Sequence, residues 1–367
     1  MGLFDFFKKK GHQEVKTAPE SPKQTSKQES ARVGSHQQNT AQQEHKQQPH
    51  QPQLSKEERY GKYSLQGYKS SDWTEPLAEF QKLEDEGFYE ASIALGQFAQ
   101  ITDNDKAFAH FKKAADAGLA EAQWSCAAIL GHEYIPEIDG KDKEWYKYCL
   151  AAAKGGCCDA MNELGNIYQR QNNFLAAYYW YQMATWYEHP QGMMGTQAVL
   201  QKWQLINFAD MASTIDGVRQ IDVDSAKRTI DFFAGKETLT PEVLNGLMPN
   251  CLADYSEFMP MFLGHLFEDV IHVDTQSKLF YQMAGHNHSI MGMKSIGDML
   301  AAGKGCQRDM DKAFSWYEGA GEANEKTACF IMGEKYRLNN KNLAAYWYTK
   351  AFRRGYEPAR QRMLTGL

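Results

Sequence analysis

The sequence predicts an all-α fold, a right-handed α-solenoid of helix–turn–helix repeats. Three observations carry that expectation. A large apolar residue followed by Gly recurs at Leu95-Gly96, Leu164-Gly165, Leu263-Gly264, Ile296-Gly297 and Met332-Gly333. An Ala- and aromatic-rich segment follows each marker, as in FSWYEGAG and AAYWYTKA. No stretch of useful length alternates apolar and polar residues as a half-buried strand does. A period of this length, present in tandem over 288–328 and 328–359, decides architecture, because one such unit cannot bury its apolar face alone.

In chain order, the first ten residues place Leu3, Phe4, Phe6 and Phe7 ahead of Lys8, Lys9 and Lys10. Aromatics beside lysines suit a short interfacial anchor, with Phe4, Phe6 and Phe7 as membrane contacts. From Gly11 to Leu54 the chain is Gln, Ser, Lys, His and Pro with almost no large apolar residue. Such a segment cannot bury enough surface to offset the entropy of ordering. Residues 1–60 therefore read as a disordered Gln-rich tail, and 61–367 as the solenoid. Within the tail His12, His36, His45 and His50 lack metal-ligand spacing.

Pro76–Ala91 reads as a lone second helix that caps the array. Degenerate first-helix markers fall at Cys126-Ala127 and Thr196-Gln197, giving steps of 31, 38, 32, 67, 33 and 36 residues between successive markers. The step of 67 spans about two periods, so one worn, irregular unit is expected over about 205–255. Second helices read over 106–118, 145–156, 176–188, 278–285, 312–321 and 343–355. A mid-helix Gly costs about 1 kcal/mol relative to Ala. Its recurrence implies close helix–helix approach, with a neighbouring backbone near Gly165 or Gly297 and Trp180, Trp316 or Trp347 filling the space beside it. Ala114, Ala152, Ala184, Ala320 and Ala351 recur once per unit for the same reason. Pro190 and Pro358 precede or begin a following helix, where the missing N–H is harmless.

The segment GKGCQRDMDKAFSWYEGAG, Gly303–Gly321, resembles the inter-helix loop and WY helix of the Sel-one-like repeat, a longer-period cousin of the tetratricopeptide repeat. The resemblance covers about 88–362 in five clear units. It implies that residues two before and two after the Leu of each marker line a concave groove. Here these include Gln97, Trp124, Asn162, Asn166, His265, Lys294, Asp298 and Glu334, with Gln169, Arg170 and Arg337 a turn later. Asn162, Asn166 and Arg170 share one helical face, suited to a peptide backbone or a carboxylate.

Other chemistries find little support. Ten Lys/Arg against seven Asp/Glu give residues 1–60 a charge of +3, which leaves −9 for the remainder of a −6 chain. An acidic body argues against a nucleic-acid partner, since phosphate binding needs clustered cations. Seven cysteines are an odd number at no repeated position, which points to reduced thiols in a cytosolic protein. No run approaches the ~18 apolar residues of a membrane span, and no secretory signal is evident. The GKG at Gly303–Gly305 lacks the strand and trailing Ser/Thr of a phosphate loop. HNH at His286–His288 lies between two helices, GHEY at Gly131–Tyr134 lacks a second His one turn on, and the vicinal pair Cys157-Cys158 reads as packing. The aromatics of Tyr178–Tyr187 read as core, with Tyr179 or Tyr187 as the candidate to reach a ligand. No catalytic set, cofactor site or metal site is expected. The expected function is a non-enzymatic bacterial scaffold that binds a protein or peptide in its groove. The alternatives are a peripheral membrane organiser tethered through MGLFDFFKKK, and an enzyme built on the irregular unit. Neither the identity of the partner nor an oligomeric state follows from the sequence.

Overall fold

A computed structural model describes residues 54–131, 143–203, 214–233 and 257–367. The membrane-contact candidates Phe4, Phe6 and Phe7, the tail histidines, His132–Tyr134, Cys251 and most of the irregular unit lie outside these residues. Among the described residues every regular element is helical, and none is a strand. The body, Ser55–Leu367, is one contact-defined unit.

It begins with α1 (Lys56–Ser70) and α2 (Thr74–Asp85), followed by the pair α3 (Tyr89–Ala99) and α4 (Asn104–Asp116). The next pairs are α5 (Ala120–Gly131) with α6 (Glu144–Lys154) and α7 (Cys158–Arg170) with α8 (Phe174–Trp186). Then come α9 (Gly192–Trp203) and α10 (Gln220–Phe233), the latter within the expected irregular unit. Regular pairs resume with α11 (Phe258–His265) and α12 (Asp274–His286), α13 (Ile290–Ala302) and α14 (Met310–Glu322), and α15 (Lys326–Tyr336) and α16 (Lys341–Arg353). The last helix is α17 (Glu357–Thr365). Most helices pack on their sequence neighbours, as a solenoid requires, whereas α10 packs chiefly on α8 and α11.

Two local devices set the helix ends. Asp103, Asn173, Asp309 and Asn340 cap second helices, each side chain accepting from the backbone N–H three residues on. Such a cap stabilises by about 1 kcal/mol. Asp103, Asn173 and Asn340 close the short turns 100–103, 171–173 and 337–340, whereas Asp309 ends the longer loop 303–309. At the other end, Gly87, Gly118, Gly156, Glu188, His288, Asn324 and Gly355 all adopt positive φ. The N–H that follows each reaches back five residues to the carbonyls of Leu83, Ala114, Ala152, Ala184, Ala284, Ala320 and Ala351. This is the Schellman geometry. It also ends at Asp85 the helix expected to run through Ala91.

The first-helix glycines have a different partner from the expected backbone and Trp. A Cβ on Gly96 would lie 2.6 Å from the Phe111 ring, on Gly165 2.5 Å from Tyr181, and on Gly297 2.7 Å from Tyr317. Gly264 and Gly333 sit equally tight against Tyr281 and Tyr348. The aromatic ring of the paired second helix, one residue past the Trp in the WY sequences, therefore occupies the missing side chain's place. The tryptophans sit one layer away: Trp316 packs on Gly285 and Trp347 on Gly321, each in the preceding second helix.

The array is also closed on itself. Helix α1 starts at Lys56, inside the stretch counted with the tail, and Ser55 and Glu58 form a capping box there. It lies along α16, at the far end of the sequence. Its buried residues are Tyr60, Gly61, Ser64 and Gly67, and a Cβ on Gly61 would collide with the main chain of Asn342 and Tyr346. Tyr60 meets the Tyr346 ring edge-on at 6.2 Å, Tyr68 meets Phe352 at 5.6 Å, and Asn340 Nδ2 donates to Glu58 Oε1 at 2.6 Å.

Candidate functional site: the first-helix face

The Tyr rings seated on the first-helix glycines place their hydroxyls beside the next polar residue of that helix. Tyr181 Oη lies 2.8 Å from Asn166 Oδ1 and 2.7 Å from Gln169 Oε1. Tyr317 Oη donates to Asp298 Oδ1 at 2.8 Å, and Tyr348 Oη to Glu334 Oε1 at 2.8 Å. Tyr281 Oη donates to Glu268 Oε2 at 2.7 Å and stands 3.0 Å from His265 Nδ1. Asn166, His265, Asp298 and Glu334 each directly follow the marker glycine. In four of the repeats a tyrosine thus meets the polar side chain that follows the glycine, and all four of these side chains are half-buried.

The other anticipated residues fall around this row. Gln97, exposed, follows Gly96, which seats Phe111 rather than a Tyr, and its amide donates to Glu121 at 3.3 Å. Asn166 and Arg170 both donate to Glu163, at 3.1 and 3.3 Å. Asn162 is buried and donates to Gln191, with its Oδ1 unpartnered. Arg337 and Arg362 both pair with Glu334. Lys294 pairs with Asp298 at 3.0 Å and reaches Glu188 at 3.6 Å, at the end of α8. Trp124 is half-buried. Asn166, Gln169 and Arg170 are therefore brought together, as are Lys294 with Asp298 and Glu334 with Arg337. Gln97, Trp124 and His265 join none of these groups directly.

Electrostatics follow the contacts. Burial lowers the His265 pKa, and the nearby Asp269 carboxylate only partly opposes it. Burial works against a charged Glu268, but Lys304 and Tyr281 outweigh it and hold the carboxyl below its ordinary value. For Lys294, burial is outweighed by Asp298 and Glu188, which raise its pKa. The tyrosine hydroxyls are pushed up, first by burial and then by the carboxylates they serve. The row therefore offers fixed charges and fixed acceptors. No group of three or more metal-ligating side chains occurs among the described residues.

The second helices contribute Tyr181, Tyr281, Tyr317 and Tyr348, none of which is among the expected site residues. A signal for it lies in the sequence: an aromatic residue stands 15–20 residues after each marker glycine, at Phe111, Tyr181, Tyr281, Tyr317 and Tyr348. The glycine and cysteine candidates have structural roles. Gly303 caps α13 in a left-handed conformation, and Gly305 lies against the Asp274 carbonyl. Cys157 is the N-cap residue of α7, and burial raises the thiol pKa of both Cys157 and Cys158. Among the described residues, no helix is long and apolar enough to cross a membrane.

Four segments, 93–119, 158–185, 291–325 and 328–356, match the Sel1 repeat family model. Each contains a marker glycine and the second-helix aromatic seated on it. No curated protein matches the chain. Among solved structures, a protective antigen of uropathogenic Escherichia coli with an SLR fold is 19% identical, covering 84% of this chain with a TM-score of 0.32. The aligned part spans only 63% of that antigen. A Sel1 repeat protein from Oxalobacter formigenes is 15% identical, covering 80% of this chain and 96% of its own, with a TM-score of 0.31.

Proposed function

We propose that this chain, four segments of which match the Sel1 repeat model, works as a non-enzymatic scaffold, holding a protein or peptide partner along its first-helix face. The observation that carries the reading is the row of polar side chains fixed by Tyr181, Tyr281, Tyr317 and Tyr348. Side chains already held in one rotamer lose less entropy on binding than free ones, so a fixed polar row favours recognition. The strongest local cluster is Asn166, Gln169 and Arg170, which presents amide and guanidinium groups suited to a peptide backbone or carboxylate. Replacing these three by Ala in the full chain should deplete the partner from a quantitative pull-down while leaving the thermal melt near wild type. An unchanged partner list overturns the assignment of this face.

A second reading rests on the sequence of the tip, where Phe4, Phe6 and Phe7 precede three lysines. It makes the scaffold peripheral to the inner face of the cell membrane. Changing the three phenylalanines to Ser should then move the protein from the membrane fraction to the soluble fraction. Unaltered fractionation removes that reading.

A further inference from the structure

A cavity of about 250 Å³ lies between the second helices α6 and α8 and the start of α10, with Met161 of α7 at its base. It lies just below the roughly 300 Å³ at which drug-sized sites begin, so it takes a fragment or a single residue. Tyr179 and Trp180 form a corner, their rings 5.1 Å apart at 87°, and Met161 and Met183 complete a floor of buried side chains. A flat apolar body fits that corner by area burial and edge-to-face contact.

The charged groups at the rim are mostly committed. Asp222 Oδ1 accepts from the backbone N–H groups of Glu257 and Phe258, and its Oδ2 pairs with Arg219 at 3.0 Å. Glu257 Oε1 accepts from the Tyr187 hydroxyl at 3.2 Å. Burial pushes the Glu257 carboxyl up to about 7, so it is neutral below that pH. Lys154, exposed at the end of α6, also lines the cavity and forms no ion pair among the described residues. The uncommitted charge at the mouth is therefore positive.

We propose that this cavity binds a carboxylate carried on a flat apolar body, either a small free acid or the C-terminal residue of a peptide. The ring enters the Tyr179–Trp180 corner and the carboxylate meets Lys154. The site uses none of the polar side chains of the first-helix row, so either reading can fail without the other.

Calorimetric titration of the full chain tests it, using N-acetyl-phenylalanine, its amide, and a short peptide ending in Phe with a free or amidated C-terminus. The acids should bind, with the amides about tenfold weaker or worse. Lys154→Glu, at an exposed position, should weaken the acids by a similar factor and leave the amides unchanged. Val218→Trp at the rim should block all of them. If only the peptide acid binds, the source is a peptide terminus; if both bind alike, a free acid suffices. Amides that bind as well as acids, indifference to Lys154→Glu, or no binding at all would overturn the proposal.

Discussion

Arg353, in the last turn of α16, donates to Glu121 in the first turn of α5 at 2.7 Å, across 232 residues of sequence. The same guanidinium reaches Glu90 Oε2 and the Tyr60 hydroxyl, each at 3.0 Å. Lys350 adds a second cation 3.5 Å from Glu90. Burial would raise both carboxyls, but Lys350 and Arg353 at Glu90, and Arg353 and Arg354 at Glu121, outweigh it and hold both below their ordinary value. An open solenoid is stabilised by nearest-neighbour interfaces alone. Here a buried ion network ties the last full repeat to the first two.

Removing Arg353 therefore takes from two buried carboxylates the cation that they share. Arg353→Met should destabilise by about 3–5 kcal/mol, the usual effect of stranding a buried charge. The combination with Glu90→Gln and Glu121→Gln should recover much of that loss. Urea midpoints of the single and triple variants check this, and equal losses in both would contradict it.

The glycine–tyrosine seat gives a second expectation. Gly165→Ala places a methyl 2.5 Å from the Tyr181 ring and should cost about 1–3 kcal/mol by overpacking. In a Tyr181→Leu background the same change should cost less, because the ring that it meets is gone. A double-mutant cycle by denaturant unfolding measures the coupling.

The repeats were legible because they are local. Leu-Gly markers and aromatic second helices sit within one unit, and their spacing survives in the sequence. The closure was not legible. The side of α1 that docks carries Gly61, whose value is backbone approach to Asn342 and Tyr346 of α16, while Gly67 makes room for the Trp73 ring, and no apolar stripe announces either. Of the anticipated site, Asn166, Gln169 and Arg170 do come together. The tyrosine hydroxyls that fix the row come from the paired helix and depend on a ring packed over glycine, which residue spacing alone does not reveal.

Two glutamates give opposite pH dependences. Glu257, raised by burial to about 7 from 4.5, is protonated in the folded state. Its contribution is complete below about 4.5 and lost as pH rises through about 7, by at most about 3 kcal/mol. For Glu84, burial is outweighed by Lys113 and His110, and its carboxyl drops to about 2. That contribution is present above 4.5 and lost as pH falls through about 2. Glu257→Gln should therefore flatten the alkaline side of the stability profile, between pH 5 and 8, and leave the acid side alone.

Thiol reactivity should divide by burial. Cys126 and Cys329 are enclosed, and burial pushes both thiols up to about 12. Cys306 is half-buried in the loop after α13. Brief alkylation of native protein followed by mass spectrometry should label Cys306 well before Cys126 or Cys329. Equal labelling of all three would contradict the packing of α5 and α15.

The closure of α1 on α16 is tested most directly by nuclear Overhauser contacts between selectively labelled aromatic rings in the intact chain. Cross-peaks are expected for Tyr60 with Tyr346 and Tyr68 with Phe352, alongside the nearby Tyr60–Phe80 contact at 4.8 Å as a control. If the control appears and both long-range pairs are absent, the repeat array is open and the account of its closure is wrong.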